Sequence, residues 1–210
     1  MKKNIVISLF DYTGNIVKPW SDAGYNCICV DIQHKQTSSD GRIAKVRADA
    51  LHWMPKKPDQ VAMLFAFPPC TDVAVSGARW FKDKGLGALI NTLNLFKRSV
   101  DMALLLGCPY MIENPVSVVS SYWRKPDYTF HPHEFTGLCD NDNYTKKTCL
   151  WTGNGFVMPA PCPDPSLGQP DNRIHKAPPG PERANFRSAT PMGFAEAVFN
   201  ANHKFAEAAT

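Results

Sequence analysis

The chain has 210 residues, 44% of them hydrophobic, enough for one domain whose core removes about 70% of the unfolded surface from water. Seven cysteines, an odd number without framework spacing, speak against a disulfide-stapled secreted fold and for reduced thiols in a cytoplasm. The formal net charge is +4. Residues 78–98 account for all of it, with Arg79, Lys82, Lys84, Lys97 and Arg98 against Asp83 alone, a patch that is either a solvated face or a seat for phosphates.

At the start of the chain, Lys2 and Lys3 precede an apolar run, IVISLF, that Asp11 ends too soon for a signal peptide or membrane span. A cytoplasmic protein with no membrane partner is expected. Ile5–Phe10 reads as a first buried strand, followed by the turn DYTGN and a helical stretch, IVKPWSDAGY, with Gly24 as its C-cap. CICVDI (Cys27–Ile32) is a second strand ending in an acid. Strand, glycine turn, helix and strand with terminal Asp31 open a doubly wound, mostly parallel α/β sheet. Gly14 allows close backbone approach to a ligand, and Asp31 is suited to accept from two ribose hydroxyls. The turn lacks a full G-x-G-x-x-G, which favours a ligand with ribose and adenine but no phosphates. KVRA is a probable third strand, after which Asp49 is either a turn acid or an acceptor for an adenine amino group.

Val61–Phe67, VAMLFAF, reads as a buried strand stopped by Pro68 and Pro69, so that Cys70 stands on a stiff loop just past a strand end. Such a thiol is either inert or a positioned nucleophile, and it is useful only where its surroundings favour the thiolate. The helical stripe Leu89, Leu93, Phe96, Val100 and Leu104 follows, closed by Gly107. Tyr110–Ile112 is a short strand with Glu113 at its end. Two parallel strands thereby end with a thiol and a carboxylate, where open α/β sheets place their ligands. Thr145–Gly153 offers another strand. Residues 153–183 carry eight prolines and no apolar periodicity, a loop or small insert without a long helix. The chain closes on a helix over 187–206 with Thr190 as N-cap and Pro191 at its first position.

Taken in order, these motifs resemble cytosine-5 DNA methyltransferases, in particular the short phage and prophage type. The resemblance covers most of residues 5–152 and returns at 187–202. Phe10 and Gly14 match the family's F-x-G-x-G turn, with Tyr12 and Asn15 standing where the family has glycines. FPPC matches the catalytic loop, ENP the family's E-N-V, and TPMGFAEAV the final helix beside the cofactor turn. The Q-x-R-x-R strand is represented only by TKKTCLW, and a large recognition domain is missing.

The resemblance implies a Rossmann-like class I S-adenosylmethionine-dependent methyltransferase fold, with a catalytic part at 1–152 plus 187–210 and a minimal insert at 153–186. It implies Cys70 and Glu113 as catalytic residues and cofactor contacts at Phe10, Asp11, Gly14, Asn15, Asp31, Ile32, Asp49, Ala50, Phe67 and Pro69. Substrate contacts fall to Pro68, Asn114, Pro115, Arg79, Lys82, Lys84, Lys147 and Thr148. The implied cofactor is S-adenosylmethionine and the partner DNA, with dimerisation a way to enlarge a small DNA-reading surface. RNA, a free cytosine nucleotide or a non-catalytic regulator stay open as alternatives. Amino-group methylation needs a polar side chain where Phe67 stands. A zinc site from His131, His133, Cys139, Cys149 and Cys162 lacks any C-x-x-C spacing, and no metal is expected.

Overall fold

Short β-branched runs separated by turn residues assemble one eight-stranded sheet in the computed structural model, which describes residues 3–180 and 182–203. The strands are β1 (Ile5–Leu9), β2 (Asn26–Val30), β3 (Ser38–Asp40), β4 (Ile43–Val46), β5 (Val61–Ala66), β6 (Tyr110–Pro115), β7 (Tyr128–Phe130) and β8 (Thr148–Gly153). Their order is β3-β4-β2-β1-β5-β6-β8-β7. The inner strands β4, β2, β1, β5 and β6 run parallel, whereas β3 and β8 pair antiparallel to their inner neighbours and β7 antiparallel to β8. The chain winds outward from β1 to β2 and β4, then crosses to β5 and β6, so β1 and β5 flank a topological switch point. This is an α/β fold compatible with the expected Rossmann-like class.

A parallel sheet covered on both faces must be apolar on both, and alternate residues divide accordingly. Val6, Cys27, Met63, Phe65, Met111 and Leu150 face one core, with Trp20, Phe130, Phe135, Phe194, Val198 and Phe199. Ile7, Leu9, Val30, Leu64, Ala66, Ile112 and Trp151 face the other, with Phe96, Met102 and Leu106. The first core is covered by α1 (Lys18–Asp22) and the last helix, the second by α2 (Phe81–Leu106). Short helices α3 (Val119–Tyr122), α4 (Arg173–Lys176) and α5 (Arg183–Ser188) connect to α6 (Met192–Asn202). Trp20 meets Phe199 edge to face at 5.3 Å, so residues near the two ends of the chain complete one core. Among the described residues no helix is long and apolar enough to cross a membrane.

Several expectations are corrected. The helix after the glycine turn is a 3-10 turn, Asn15–Val17, leading into only five α-helical residues. β2 stops at Val30, two residues early, which leaves Asp31 and Ile32 beyond the strand. A hairpin strand, β3, pairs with β4 and has no apolar signature because it is fully exposed. The helix α2 starts at Phe81, ahead of the stripe expected from Leu89, with a break at Gly85 (φ 76°), and Leu104 is 72% exposed while Met102, Ala103 and Leu106 point inward. β6 continues through Glu113 to Pro115 because β8 pairs with it along that length.

The segment 153–180, expected as a loop or small insert, runs as a strap along residues 134–145. Gly137 N donates to Cys162 O and Cys162 N to Glu134 O, Asp164 N donates to the Thr136 hydroxyl, and Asn143 Nδ2 donates to Leu167 O.

The last helix begins one residue later than expected, with Pro191 rather than Thr190 at its cap position, and residues 204–206 of the expected helix lie outside the described residues. Its first turn is capped from a distance: Asp142 Oδ2 accepts from Gly193 N at 2.7 Å, and both are buried. A Cβ on Gly193 would overlap the main-chain carbonyl of Phe135. In a helix, Gly→Ala normally stabilises by about 1 kcal/mol. Here Gly193→Ala is expected instead to destabilise by roughly 1–3 kcal/mol through overpacking. Urea denaturation checks the sign.

Candidate active site

Strand β5 delivers the loop Phe67–Cys70, and three kinds of contact hold it. Phe67 N donates to Leu9 O at 3.0 Å, so the loop leaves from the switch point itself. Two prolines remove donors, and the carbonyl of buried Pro68 is taken by Asn114 Nδ2 at 2.9 Å, a clamp onto β6. Beyond Cys70, its carbonyl accepts from Val73 N and Ala74 N. The chain is then stitched to the segment after β6 by Val75 N to Val116 O at 2.9 Å and Val118 N to Val73 O at 3.0 Å.

Lys84 completes the support. Its ammonium donates to Thr71 O and Asp72 Oδ1, both at 2.8 Å, while Thr92 Oγ1 donates to Asp72 Oδ2 at 2.9 Å. Lys84 holds the Asp72 carboxyl below the usual carboxylate range. Lys84, expected as a phosphate contact, braces the Cys70 loop in this structure. Arg98 likewise binds the carbonyls of Ala50 and Trp53. Arg79, resting over the Trp80 ring at 5.0 Å, and Lys82 are exposed, and among the described residues neither forms an ion pair.

Glu113 lies inside β6, opposite Leu150 of β8, with its side chain only 14% exposed. Burial pushes its carboxyl up, partly offset by Lys146, whose Nζ is 3.9 Å from Oε1. Burial also pushes the Cys70 thiol up, and Glu113 adds to that, with Lys146 and Arg187 acting in the opposite sense. The surroundings thus hold the resting thiol protonated. A narrow cleft beside these groups is lined by Phe67, Glu113, Lys146, Thr148, Thr190 and Phe194 among others. Thr148 is buried, its hydroxyl donating to Lys146 O. Pro69 is exposed and Pro115 half-buried at the end of β6.

Lys147 stands apart from the Glu113 and Cys70 pair. It is exposed, and its charge acts on His131 and Cys149, whereas Lys146 faces Glu113 and Cys70. Sequence reasoning missed Lys146 and Arg187. The parity of TKKTCLW carries the first signal, since Lys146 and Thr148 are two apart, the strand period that puts side chains on one face.

At the other end of the switch point, Phe10 (φ 56°) and Gly14 (φ 79°) shape the turn after β1. Asp11 builds this turn: its two oxygens accept from Ser8 Oγ, Thr13 Oγ1 and Gly14 N. Asn15 Nδ2 donates to Thr190 O at 2.9 Å, which ties the turn to the start of α6. Asp31 is buried and accepts from Gln33 N at 2.7 Å, and its carboxyl is pushed up chiefly by that burial. A carboxylate offers about four acceptor positions, so capacity for hydroxyl donors remains. Ile32 beside it is 69% exposed, an apolar side chain presented to solvent. Asp49 is half-exposed and accepts from Leu51 N at 2.9 Å. Ala50 is buried, with its carbonyl taken by Arg98, and offers no side-chain contact to a ligand. Among the described residues no three His, Cys, Asp or Glu side chains converge as a metal site.

No protein-family model matches the sequence, and none of the curated proteins searched matches it.

Glu113→Gln removes a charge that raises the Cys70 pKa. At pH 8 the substitution is expected to speed alkylation of Cys70 by iodoacetamide, followed by peptide mass mapping, whereas a role remote from the thiol leaves the rate unchanged. The same substitution reports on stability. A carboxyl whose folded pKa lies above its ordinary value of 4.5 destabilises the fold once pH rises past that value. Glu113→Gln should therefore raise Tm at pH 8, by roughly 2–4 °C for each kcal/mol relieved, and the gain should shrink as pH falls toward 4.5.

Proposed function

We propose that the chain is an S-adenosylmethionine-dependent methyltransferase acting on carbon 5 of cytosine in DNA, with Cys70 as nucleophile and Glu113 as acid. The observation that carries this reading is the pairing of a loop thiol with a buried, protonation-prone carboxyl at the ends of adjacent parallel strands. The resemblance of the motifs to cytosine-5 methyltransferases supports the same reading, and the sheet order is compatible with it.

Carbon 5 of cytosine is a weak nucleophile until a group adds to carbon 6, and a thiolate does so best near neutral pH. Addition of the Cys70 sulfur pushes electron density toward ring nitrogen 3. Glu113 meets that charge as a hydrogen-bond donor, which requires the carboxyl to be protonated, and burial favours that form. Lys146 supplies the nearby positive charge that the family's arginine-containing strand would otherwise bring, and with Arg187 it offsets the burial of the thiolate. The rigid support of the loop by Asn114 and Lys84 fixes the direction of attack. Loss of the carbon 5 proton and expulsion of the sulfur restore the ring after methylation.

The residues of the first turn fit the cofactor. Asp31 has acceptor capacity for ribose hydroxyls, Ile32 offers an apolar face for adenine, and Asp49 is accessible for its amino group. S-adenosylmethionine supplies the methyl group when bound there. A base inside a duplex must first be extruded, at a few kcal/mol.

DNA carrying 5-fluorocytosine tests the reading, since fluorine in place of the carbon 5 proton stops the final elimination. With S-adenosylmethionine present, a denaturation-resistant complex is expected for the parent protein and none for Cys70→Ala. An adduct that survives the substitution moves the nucleophile elsewhere, and labelled RNA or deoxycytidine nucleotide in parallel reactions separates the substrate classes.

A further inference from the structure

Beyond Asp31 lies a second pocket, of about 260 Å³, lined by Tyr12, His34, Lys35, Gln36, Ser38 and Lys45. It contains neither Cys70 nor Glu113, and the reaction proposed above makes no use of it. Its walls are pre-formed. Gln33 N donates to Asp31 Oδ1, Arg47 Nη1 donates to Lys35 O at 2.9 Å, and Arg47 N donates to Thr37 Oγ1 at 3.2 Å. The loop after β2 is thereby pinned to the end of β4, the strand that supplies Lys45. On the side toward the first turn, Tyr12 stacks on His34 with centroids 5.7 Å apart, and His34 is only 4% exposed.

The chemistry of the lining is one-sided. The lining residues carry two ammonium groups, an imidazole, an amide and two hydroxyls, and no carboxylate is among them. Among the described residues neither Lys35 nor Lys45 forms an ion pair, so both charges are uncompensated. Uncompensated lysines around a concavity suit an anion rich in acceptor oxygens. The location narrows the anion further. In doubly wound sheets the ground just past the acid of the second strand adjoins the ribose hydroxyls, and basic side chains there accommodate a phosphate esterified to the sugar. A phosphate monoester carries close to two negative charges near pH 7, matching two lysines, and it is a chain end that enters a recess. A backbone diester carries one charge and continues on both sides.

We infer that this pocket binds a phosphate monoester, of the kind borne on the sugar of a nucleoside. The nucleoside concerned is not S-adenosylmethionine, whose ribose carries no phosphate, and the two would compete for the ground beside Asp31; the inference does not depend on Cys70 chemistry, and failure of the fluorocytosine adduct would leave it standing.

The test follows the His34 ring by NMR while adenosine 2′-monophosphate, adenosine, inorganic phosphate and single-stranded dT12 are added to the full chain in turn. Adenosine 2′-monophosphate is expected to move the His34 signals and to bind about tenfold more tightly than adenosine. Lys35→Ala combined with Lys45→Ala should abolish that difference, and Lys35→Arg with Lys45→Arg should keep it; unchanged melting curves show that both variants fold. Equal affinity for inorganic phosphate and the nucleotide supports the pocket with free phosphate as the source, and tighter binding of the nucleotide supports the sugar-borne group. The inference is overturned if neither phosphate probe moves His34, if the alanine variant responds as the parent does, or if only dT12 acts.

Discussion

A parallel sheet buried on both faces has no room for polar side chains except where its strands end. Every other feature of this protein follows from that constraint. Along β1, β2, β5 and β6 alternate residues feed two apolar cores. The groups with chemistry, Asp31, Cys70 and Glu113, are displaced to the carboxyl ends, and Glu113 is the least displaced of them because β8 extends the pairing of β6 past it. The result is a carboxyl that sits in the sheet rather than beyond it, and a resting thiol kept neutral beside it. Burial thus sets the resting protonation of both groups, and Lys146 is the positive charge that opposes it at each.

Much of this arrangement was legible in the residue pattern. Runs such as VAMLFAF and CICVDI have the length and composition of doubly covered strands, and FPPC and ENP each announce a strand end by a proline. What the pattern could not carry was long-range pairing. Nothing local to Asp142 says that it caps a helix 51 residues away, and nothing local to Lys84 distinguishes a brace for Asp72 from a free surface charge. The same holds for Asp11, whose position suggests a ligand contact but whose oxygens are filled by its own turn. Strand limits failed for a related reason. β6 is as long as its antiparallel partner allows, and that partner lies 39 residues further on in the pairing Ile112–Trp151.

Helix ends and faces show the other limit of local reading. Leu104 fits a stripe drawn at ideal helical spacing, yet the helix turns it to solvent and buries Met102, Ala103 and Leu106. Gly85 interrupts the same helix, so the phase of its first turn does not carry through to the rest. Choosing between Lys146 and Lys147 was a matter of one residue, and in a strand one residue is the difference between the two faces of a sheet.

The contact of Trp20 with Phe199 has a consequence for how the protein is made. One core draws on β1, β2, β5, β6 and β8 and is covered by α1 and α6, so during synthesis the face of Trp20 that Phe199 meets stays open until α6 has left the ribosome. Contacts this distant in sequence form late and slowly. A chain that stalls before α6 presents an uncovered aromatic face, the kind of exposed apolar surface that makes partly folded species prone to aggregate.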